Sequence, residues 1–198
     1  QIGKSEIALR YFKKVASMGK GQNDLDLQAA ALSHQGVVYR DLGELKLAAQ
    51  CLMTSLAIDQ KKDDQGRKAM TLGNLGLVFS DQGDAMKAIL YHKEALEIHR
   101  KIGNQRGMGA DLNNLGENYR TIGSLENAIS CFEESLTLQA KINNRRGIAT
   151  ALDNLGLAYT DLGDPSKALE FYKKSLSLSR EIGDRKEEGI VLGNMGVA

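Results

Sequence analysis

Gly73-Asn74-Leu75-Gly76-Leu77-Val78-Phe79 is the stretch that decides the fold, because the chain repeats its pattern every 40 residues. Glycine keeps its place in each copy, and the copies begin at Ser33, Asn113, Asp153 and Gly193. Self-similarity at such a period indicates a repeat array, in which each unit buries its apolar face against its neighbours.

Each period contains the start and stop signals of two helices. Asp or Asn should begin the first helix, because both side chains accept hydrogen bonds from first-turn amides. These residues are Asp24, Asp64, Asn104, Asn144 and Asp184. The first helix should end at a glycine that accepts the left-handed conformation, namely Gly43, Gly83, Gly123 or Gly163. The second helix should run from Glu44, Asp84, Ser124 and Asp164 to Asp63, Gly103, Asn143 and Gly183.

The period predicts an all-α protein, an α-solenoid of antiparallel helix pairs with about ten helices. We expect one solenoid over residues 1–198, with full repeats at 24–63, 64–103, 104–143 and 144–183. Residues 1–23 and 184–198 fit partial repeats, so we expect a fragment of a longer protein. The uncapped ends, with Leu192 and Met195 exposed, would favour end-to-end self-association.

The repeated glycine has a packing explanation. Glycine inside a helix costs about 1 kcal/mol relative to alanine, so its recurrence indicates a close helix contact. We expect the glycines to face the small residues of the second helix, which are Ala48, Ala88, Ala128 and Ala168.

Composition excludes several classes of function. The chain has 26 basic and 25 acidic residues, which leaves no broad basic surface for nucleic acid. It has no long apolar run, so we expect no membrane insertion. Cys51 and Cys131 occupy equivalent positions two repeats apart, which indicates two reduced core thiols and a cytoplasmic protein.

The repeat resembles the tetratricopeptide repeat, and the match is carried by Leu155-Gly156, Tyr159, Gly163, Ala168 and Tyr172. The long period and connectors such as Gly183-Asp184-Arg185 look like the long-helix subtype of Pins/LGN-type scaffolds. The resemblance implies an all-α, right-handed superhelical α-solenoid with a concave groove that is lined by the first helices and binds peptides. Where Pins-like arrays carry arginines that meet acidic ligands, this chain has Ala30, Met70, Ala110, Thr150 and Ile190.

The main candidate binding residues form a ladder with one member per repeat, namely His34, Asn74, Asn114, Asn154 and Asn194. In the family this position borders the groove. Asparagine offers a donor and an acceptor, which suits the main chain of an extended peptide. Alternatively, each asparagine could hydrogen-bond a neighbouring helix, and both roles could hold.

Further candidates surround the ladder. One turn later stand Val37, Leu77, Glu117 and Leu157, which form either a binding stripe or part of the packing between repeats. The remaining candidates of the groove are polar or charged, namely Arg40, Arg120, Asn113 and Asp153. Arg106, Arg145, Arg146 and Arg185 stand at repeat junctions, where they could clamp a carboxylate or remain solvated.

No pattern in the chain indicates catalysis. His34, His92 and His99 lack metal-ligand partners at useful spacing, and His92 stands where other repeats have Phe132 and Tyr172, which indicates a core or edge residue. We therefore predict a non-catalytic scaffold, without metal or cofactor, that binds a protein or peptide of unknown identity. The alternative is a regulatory or oligomerisation array of a larger signalling enzyme or ATPase, which contacts its own chain.

Overall fold

The computed structural model describes residues 2–196, and within them it contains ten α-helices and no β-strand. The helices are α1 (Ile2–Gly21), α2 (Leu25–Asp41), α3 (Leu45–Lys62), α4 (Gln65–Asp81), α5 (Ala85–Lys101), α6 (Gln105–Thr121), α7 (Leu125–Lys141), α8 (Arg145–Asp161), α9 (Pro165–Ile182) and α10 (Arg185–Met195). The first helix of each repeat is therefore α2, α4, α6, α8 or α10. The all-α helical-repeat solenoid expected from the sequence is confirmed.

The helices begin and end close to the residues that the sequence predicted. The side chain of each first-helix cap (Asp24, Asp64, Asn104, Asn144 and Asp184) accepts a hydrogen bond from the backbone amide three residues later, at 2.9 to 3.3 Å, whereas Glu44 and Ser124 on the second helices make no such bond. Gly43, Gly83, Gly123 and Gly163 have φ between 74° and 79°. Even the non-glycine stops at Asp63 and Asn143 take φ of 55° and 53°. Local chemistry therefore sets the helix boundaries.

The chain divides into two compact units. The first unit ends at Ile102, and the second begins at Gly103. The first unit contains α1–α5, and its consecutive helices pack against each other, with α2 also touching α4. The second unit contains α6–α10 with the same consecutive packing, and α8 touches both α6 and α10. First helices thus lie side by side within each unit and present a shared face.

The recurrent glycines face the second helix, and the Ala48 carbonyl oxygen would lie 3.2 Å from a Cβ atom on Gly36, but a larger side chain of the second helix lies nearer to each glycine. A Cβ atom on Gly36 would lie 2.5 Å from Leu52 Cγ, and one on Gly76 would lie 2.5 Å from His92 Nε2. Gly116 and Gly156 are covered in the same way by the rings of Phe132 and Tyr172. The glycine therefore makes room for a large buried side chain of the second helix. That side chain stands four residues after the small alanine.

Buried serines fasten the two helices of a repeat together. Ser55 Oγ donates to the carbonyl of Ala29 at 2.9 Å, and Ser135 Oγ donates to that of Gly109 at 2.8 Å. Ser175 repeats the bond in the next period. His92 is 0% exposed, which confirms its predicted place in the core. At the end of the second unit, Leu192 is exposed, whereas Met195 packs against the core of α9 and α10.

Candidate functional site

Each first helix carries three residues at positions i, i+4 and i+7, which share one face of an α-helix. We call these sets the face triplets. They are Ala30-His34-Val37 on α2, Met70-Asn74-Leu77 on α4, Ala110-Asn114-Glu117 on α6, and Thr150-Asn154-Leu157 on α8; α10 contributes Ile190 and Asn194. The predicted ladder supplies the middle member of every triplet.

The triplet of α4 combines a strongly exposed apolar residue with two half-buried residues. Met70 is 62% exposed, and Asn74 and Leu77 are half-buried. The side-chain amide of Asn74 forms no hydrogen bond with the part of the chain that the structure describes. An amide between two accessible apolar side chains is thus available to a ligand.

The five members of the ladder do not share one environment. Asn114 resembles Asn74, because it is half-buried and its side-chain amide bonds to no described residue. His34 is exposed, and its ring stacks on Phe12 with centroids 5.0 Å apart. Asn194 donates from Nδ2 to both carboxylate oxygens of Asp153, at 3.1 and 3.0 Å. The contact of Asn194 with Asp153 links α10 to α8, so Asn194 has a structural role.

Asn154 and Asn113 lie below the surface. They are 6% and 8% exposed, and within the described residues neither Asn154 Nδ2 nor Asn113 Oδ1 has a hydrogen-bond partner. The two residues are separated by the same interval as Asp153 and Asn194, which do pair. Their burial makes them poor first contacts for a ligand.

Asp153 is 4% exposed, and burial raises the pKa of its carboxyl, against the lowering effect of the Asn194 hydrogen bond. Burial also raises the pKa of Glu187 on α10, and the negative charge of Asp153 adds to this effect. The contact between α8 and α10 therefore contains two carboxyl groups that resist ionisation.

The two arginines of the predicted groove join neighbouring first helices. Arg40 Nε lies 3.5 Å from Asp81 Oδ2 in the first unit, and Arg120 Nη1 lies 2.7 Å from Asp161 Oδ2 in the second. Arg40 also lies 3.5 Å from Asp41. These ion pairs stand at the C-terminal ends of the first helices, where the arginine and aspartate charges neutralise each other.

The third row of predicted residues is mixed. Val37, Leu77 and Leu157 are half-buried, whereas Glu117 is exposed. Half-burial agrees with both interpretations of the stripe, since the side chains pack between repeats and still reach solvent.

Two apolar residues of the face were not among the predicted site residues. Met70 is 62% exposed and Ile190 is 43% exposed, each four residues before its asparagine. The sequence placed them at the groove position that carries arginine in Pins-like arrays. The i, i+4, i+7 spacing from Met70 to Leu77 is the signal that would have found them.

Other site classes receive no support within the described residues. No set of three or more His, Cys, Asp or Glu side chains in that part of the chain is arranged to hold a metal ion. None of its helices combines the length and the apolar character that are needed to cross a bilayer.

The helical hairpins and the repeated face agree with the family comparison. The tetratricopeptide repeat model matches residues 27–101 and 110–181. The chain belongs to the tetratricopeptide repeat family, whose fold is typically a non-catalytic scaffold for protein–protein interaction. The narrower resemblance to Pins/LGN-type arrays stays a prediction. A search of curated protein sequences gave no match.

Solved structures share the fold at low sequence identity. BtubC (BKLC) from P. vanneervenii is 17% identical with a TM-score of 0.73, over 92% of this chain and 91% of the other. Aspartyl phosphate phosphatase F from Bacillus subtilis is 18% identical with a TM-score of 0.84, over 92% of this chain and 48% of the other. A signal transduction ATPase with numerous domains and a tetratricopeptide repeat sensor, from Pyrococcus horikoshii, is 17% identical with a TM-score of 0.77, over 96% of this chain and 34% of the other.

Proposed function

We propose that this chain is a non-catalytic scaffold that binds an extended peptide segment of a partner protein on its first-helix faces. The partner's main chain would meet the accessible asparagines, and its side chains would meet the apolar members of the face triplets. Asn74 takes this role on the first unit, and Asn114 takes it on the second.

The observation that carries the proposal is the triplet Met70-Asn74-Leu77. Leaving a large apolar side chain in water forgoes the stabilisation of its burial, roughly 1.5–3 kcal/mol. Met70 is nevertheless 62% exposed on the face where the amide of Asn74 is also open. Accessible apolar groups around a polar group that can both donate and accept are the usual lining of a binding surface.

Asparagine suits a partner whose sequence can vary. Its Oδ1 accepts from a peptide N–H and its Nδ2 donates to a peptide carbonyl, so it contacts groups that every residue has. Side-chain preference then comes from Met70, Leu77 and Leu157. Methionine adapts its shape to different apolar partners, which favours a tolerant site.

A second candidate is a regulatory or oligomerisation array that contacts other parts of a longer chain. It is favoured by the fold shared with two longer proteins, of which this chain covers 48% and 34%. The same faces would then bind an internal segment.

A peptide display selection tests the proposal when it is run on the chain and on the double variant Asn74→Ala/Asn114→Ala. One hydrogen bond contributes about 0.5–1.5 kcal/mol, so each substitution should weaken an enriched peptide roughly 2- to 12-fold. Circular dichroism should show unchanged helicity, because neither amide bonds to a described residue.

Asn127→Ala is the control, since Asn127 is exposed but lies on the second helix α7, where its Nδ2 donates to Ser124 Oγ at 2.9 Å. The control should keep full affinity. Equal affinity of the double variant and the parent chain would contradict the proposal. So would the failure of the folded parent chain to enrich any peptide, and that outcome would favour the regulatory array.

A further inference from the structure

A second open surface lies at the edge of the second unit, outside the face triplets. A cleft of about 330 Å³ opens where the turn between α6 and α7 meets the C-terminal end of α8. We call it the edge cleft, and its lining residues are Gly123, Ser124, Leu125, Glu126 and Leu162. Because none of them belongs to a triplet or to the asparagine ladder, the proposed peptide site leaves the edge cleft unused.

The turn between α6 and α7 leaves the edge cleft open. Gly123 has a φ of 74°, a left-handed conformation that suits glycine. A Cβ atom added to Gly123 would meet nothing within 4 Å, so the space beside this turn is free. A ligand could therefore reach the cleft without any movement of the backbone.

Large apolar side chains stay accessible at this edge. Leu162 is 52% exposed at the end of α8, and Ile122, the neighbour of Gly123 in the chain, is 44% exposed. Leu125, at the start of α7, is half-buried and lines the cleft together with Leu162. Apolar groups that are gathered at one exposed place indicate an interaction site, whereas singly scattered ones need no explanation.

The first unit has a cleft at the equivalent place, but its lining differs. That cleft, of about 590 Å³, lies between the turn that joins α2 to α3 and the end of α4. There Gln82 takes the place of Leu162. Lys46 takes the place of Glu126. The fold thus provides a cleft in both units, while side chains make the edge cleft of the second unit apolar and acidic.

Glu126 gives the edge cleft its charge. The residue is exposed, and it forms no ion pair with any residue in the described part of the chain. At the ends of α6 and α8, Arg120 Nη1 and Asp161 Oδ2 lie 2.7 Å apart, so their charges offset each other. A basic group of a partner would therefore meet an uncompensated carboxylate beside the apolar wall of the cleft.

The size of the edge cleft favours a short segment over a whole protein surface. Ligand pockets span about 300–1,000 Å³, so a cleft at the lower end of that range accommodates one or two side chains. A stable interface between two proteins uses about 20–30 residues on each side. The edge cleft supplies five, which is too few for a second copy of this chain to be held there.

We propose that the edge cleft binds a bulky apolar side chain of a partner protein, next to a lysine or arginine that pairs with Glu126. The wall formed by Leu125 and Leu162 takes the apolar side chain, and the open turn at Gly123 gives it room. An exposed ion pair contributes little affinity, so Glu126 mainly selects the neighbouring charge. This site is separate from the proposed peptide site and does not depend on it.

The test is an NMR titration of the whole chain with the probe peptide Ser-Gly-Lys-Phe-Lys-Gly-Ser. The backbone amide signals of Gly123 and Leu162 should shift along one saturable curve. The variant Glu126→Lys/Leu162→Gln should bind the probe roughly fivefold more weakly or worse, because it loses both the apolar wall and the charge. Since the first unit carries Lys46 and Gln82 at these positions, the new residues suit the repeat and helicity should be unchanged.

Two altered probes separate the two parts of the proposal. Ser-Gly-Lys-Ala-Lys-Gly-Ser lacks the bulky side chain, and Ser-Gly-Glu-Phe-Glu-Gly-Ser reverses the charge. Both should bind the parent chain more weakly than the first probe. Equal binding of the alanine probe would overturn the apolar site, and equal binding of the glutamate probe would overturn the role of Glu126.

Leu90→Gln/Glu97→Lys is the matched control, because it makes the same two exchanges at exposed positions of α5 outside the edge cleft. It should bind the probe within about twofold of the parent chain, since exposed substitutions away from a site have small effects. Equal losses in the control and in Glu126→Lys/Leu162→Gln would show a general effect of charge and overturn the proposal.

Three further outcomes would also overturn it. These are the absence of any shift at millimolar probe, equal affinity of the parent chain and Glu126→Lys/Leu162→Gln, and shifts at Asn74 and Asn114 in place of Gly123 and Leu162. The last outcome would support the peptide site alone. If the Gly123 and Leu162 signals move with protein concentration before probe is added, and sedimentation shows a dimer, the edge is a contact between copies and the proposal fails.

Discussion

The junction between α3 and α4 in the first unit and the junction between α7 and α8 in the second solve one packing problem with different chemistry. In the first junction, Asp59 is 0% exposed and its carboxylate accepts hydrogen bonds from Arg67 Nε and from the Thr71 hydroxyl. In the second, the equivalent residues are Gln139 and Gly147. Gln139 is 3% exposed, its Oε1 accepts from Asn144 Nδ2 at 2.8 Å, and its side chain fills the space beside the glycine.

At these two junctions, the buried charge of Asp59 comes with a counter-charge, whereas the buried side chain of Gln139 is neutral. The carboxylate of Asp59 is compensated by a guanidinium that also reaches Asp26 at 2.7 Å. The amide of Gln139 needs no counter-ion, and glycine at position 147 leaves room for it. The repeat therefore fixes the helix geometry, while its junctions vary through pairs of residues that change together.

The largest effect is expected from removing one partner of the charged junction. Arg67→Ala leaves the carboxylate of Asp59 buried without its counter-charge, which should cost about 3–5 kcal/mol of unfolding free energy. Urea denaturation and hydrogen exchange of the α3 and α4 amides would measure the loss. Arg146→Ala, at an exposed pair, should cost less than about 1 kcal/mol.

Adding Asp59→Asn to Arg67→Ala should recover part of the lost stability, because a neutral amide is less costly to bury. A cost below 1 kcal/mol for Arg67→Ala would contradict the account of the charged junction.

A smaller effect is expected at the amide junction. A methyl group on Gly147 would lie 2.5 Å from Gln139 Cδ, so Gly147→Ala should force that flexible side chain aside and cost about 1–2 kcal/mol. In a Gln139→Ala background the same substitution should cost less, since the side chain of Asn144, whose Nδ2 lies 2.8 Å from the added methyl group, is then the main group that has to move, and alanine is the better helix former by up to about 1 kcal/mol. A double-mutant cycle by urea denaturation would measure the coupling.

Gly189→Ala is the control for that cycle, because nothing lies within 4 Å of the added methyl group on α10. It should stabilise the chain in either background. Additive effects of Gly147→Ala and Gln139→Ala would show that the two residues do not share the space.

The smallest effect concerns Asp153, a buried carboxyl group whose partner among the described residues is the amide of Asn194 and not a cation. Because its folded-state pKa is raised, it favours folding most below the unfolded-state pKa, and this contribution is lost as pH rises through the folded-state pKa. The stability gained by Asp153→Asn over the parent chain should therefore be larger at pH 7 than at pH 4, by less than about 1 kcal/mol. Thermal melts of both proteins across that range would show it, and an identical pH profile would contradict it.

The sequence predicted the fold well because caps and left-handed stops act locally. Asp24 and Gly43 need no knowledge of the rest of the chain, and His92 is recognised as a core residue from the aromatic residues at equivalent positions. The junctions were not predicted, since the contact of Asp59 with Arg67 depends on how two repeats pack.

The sequence also could not separate the accessible asparagines of the ladder from the structural one, because they are the same residue at the same repeat position. Their neighbours differ. Asn194 follows Asp153 by 41 residues and pairs with it, whereas Asn74 has Ser33 at that interval and keeps its amide open. A carboxylate at this interval is the signal that would have marked Asn194 as structural.

The most direct test of the central claim is an NMR titration that follows the side-chain amide signals of the asparagines as a display-selected peptide is added. The account predicts that the Nδ2 signals of Asn74 and Asn114 shift with the binding curve, while that of Asn194 stays in place on Asp153. Binding without any change at Asn74 and Asn114, or with the main change at Asn194, would contradict it.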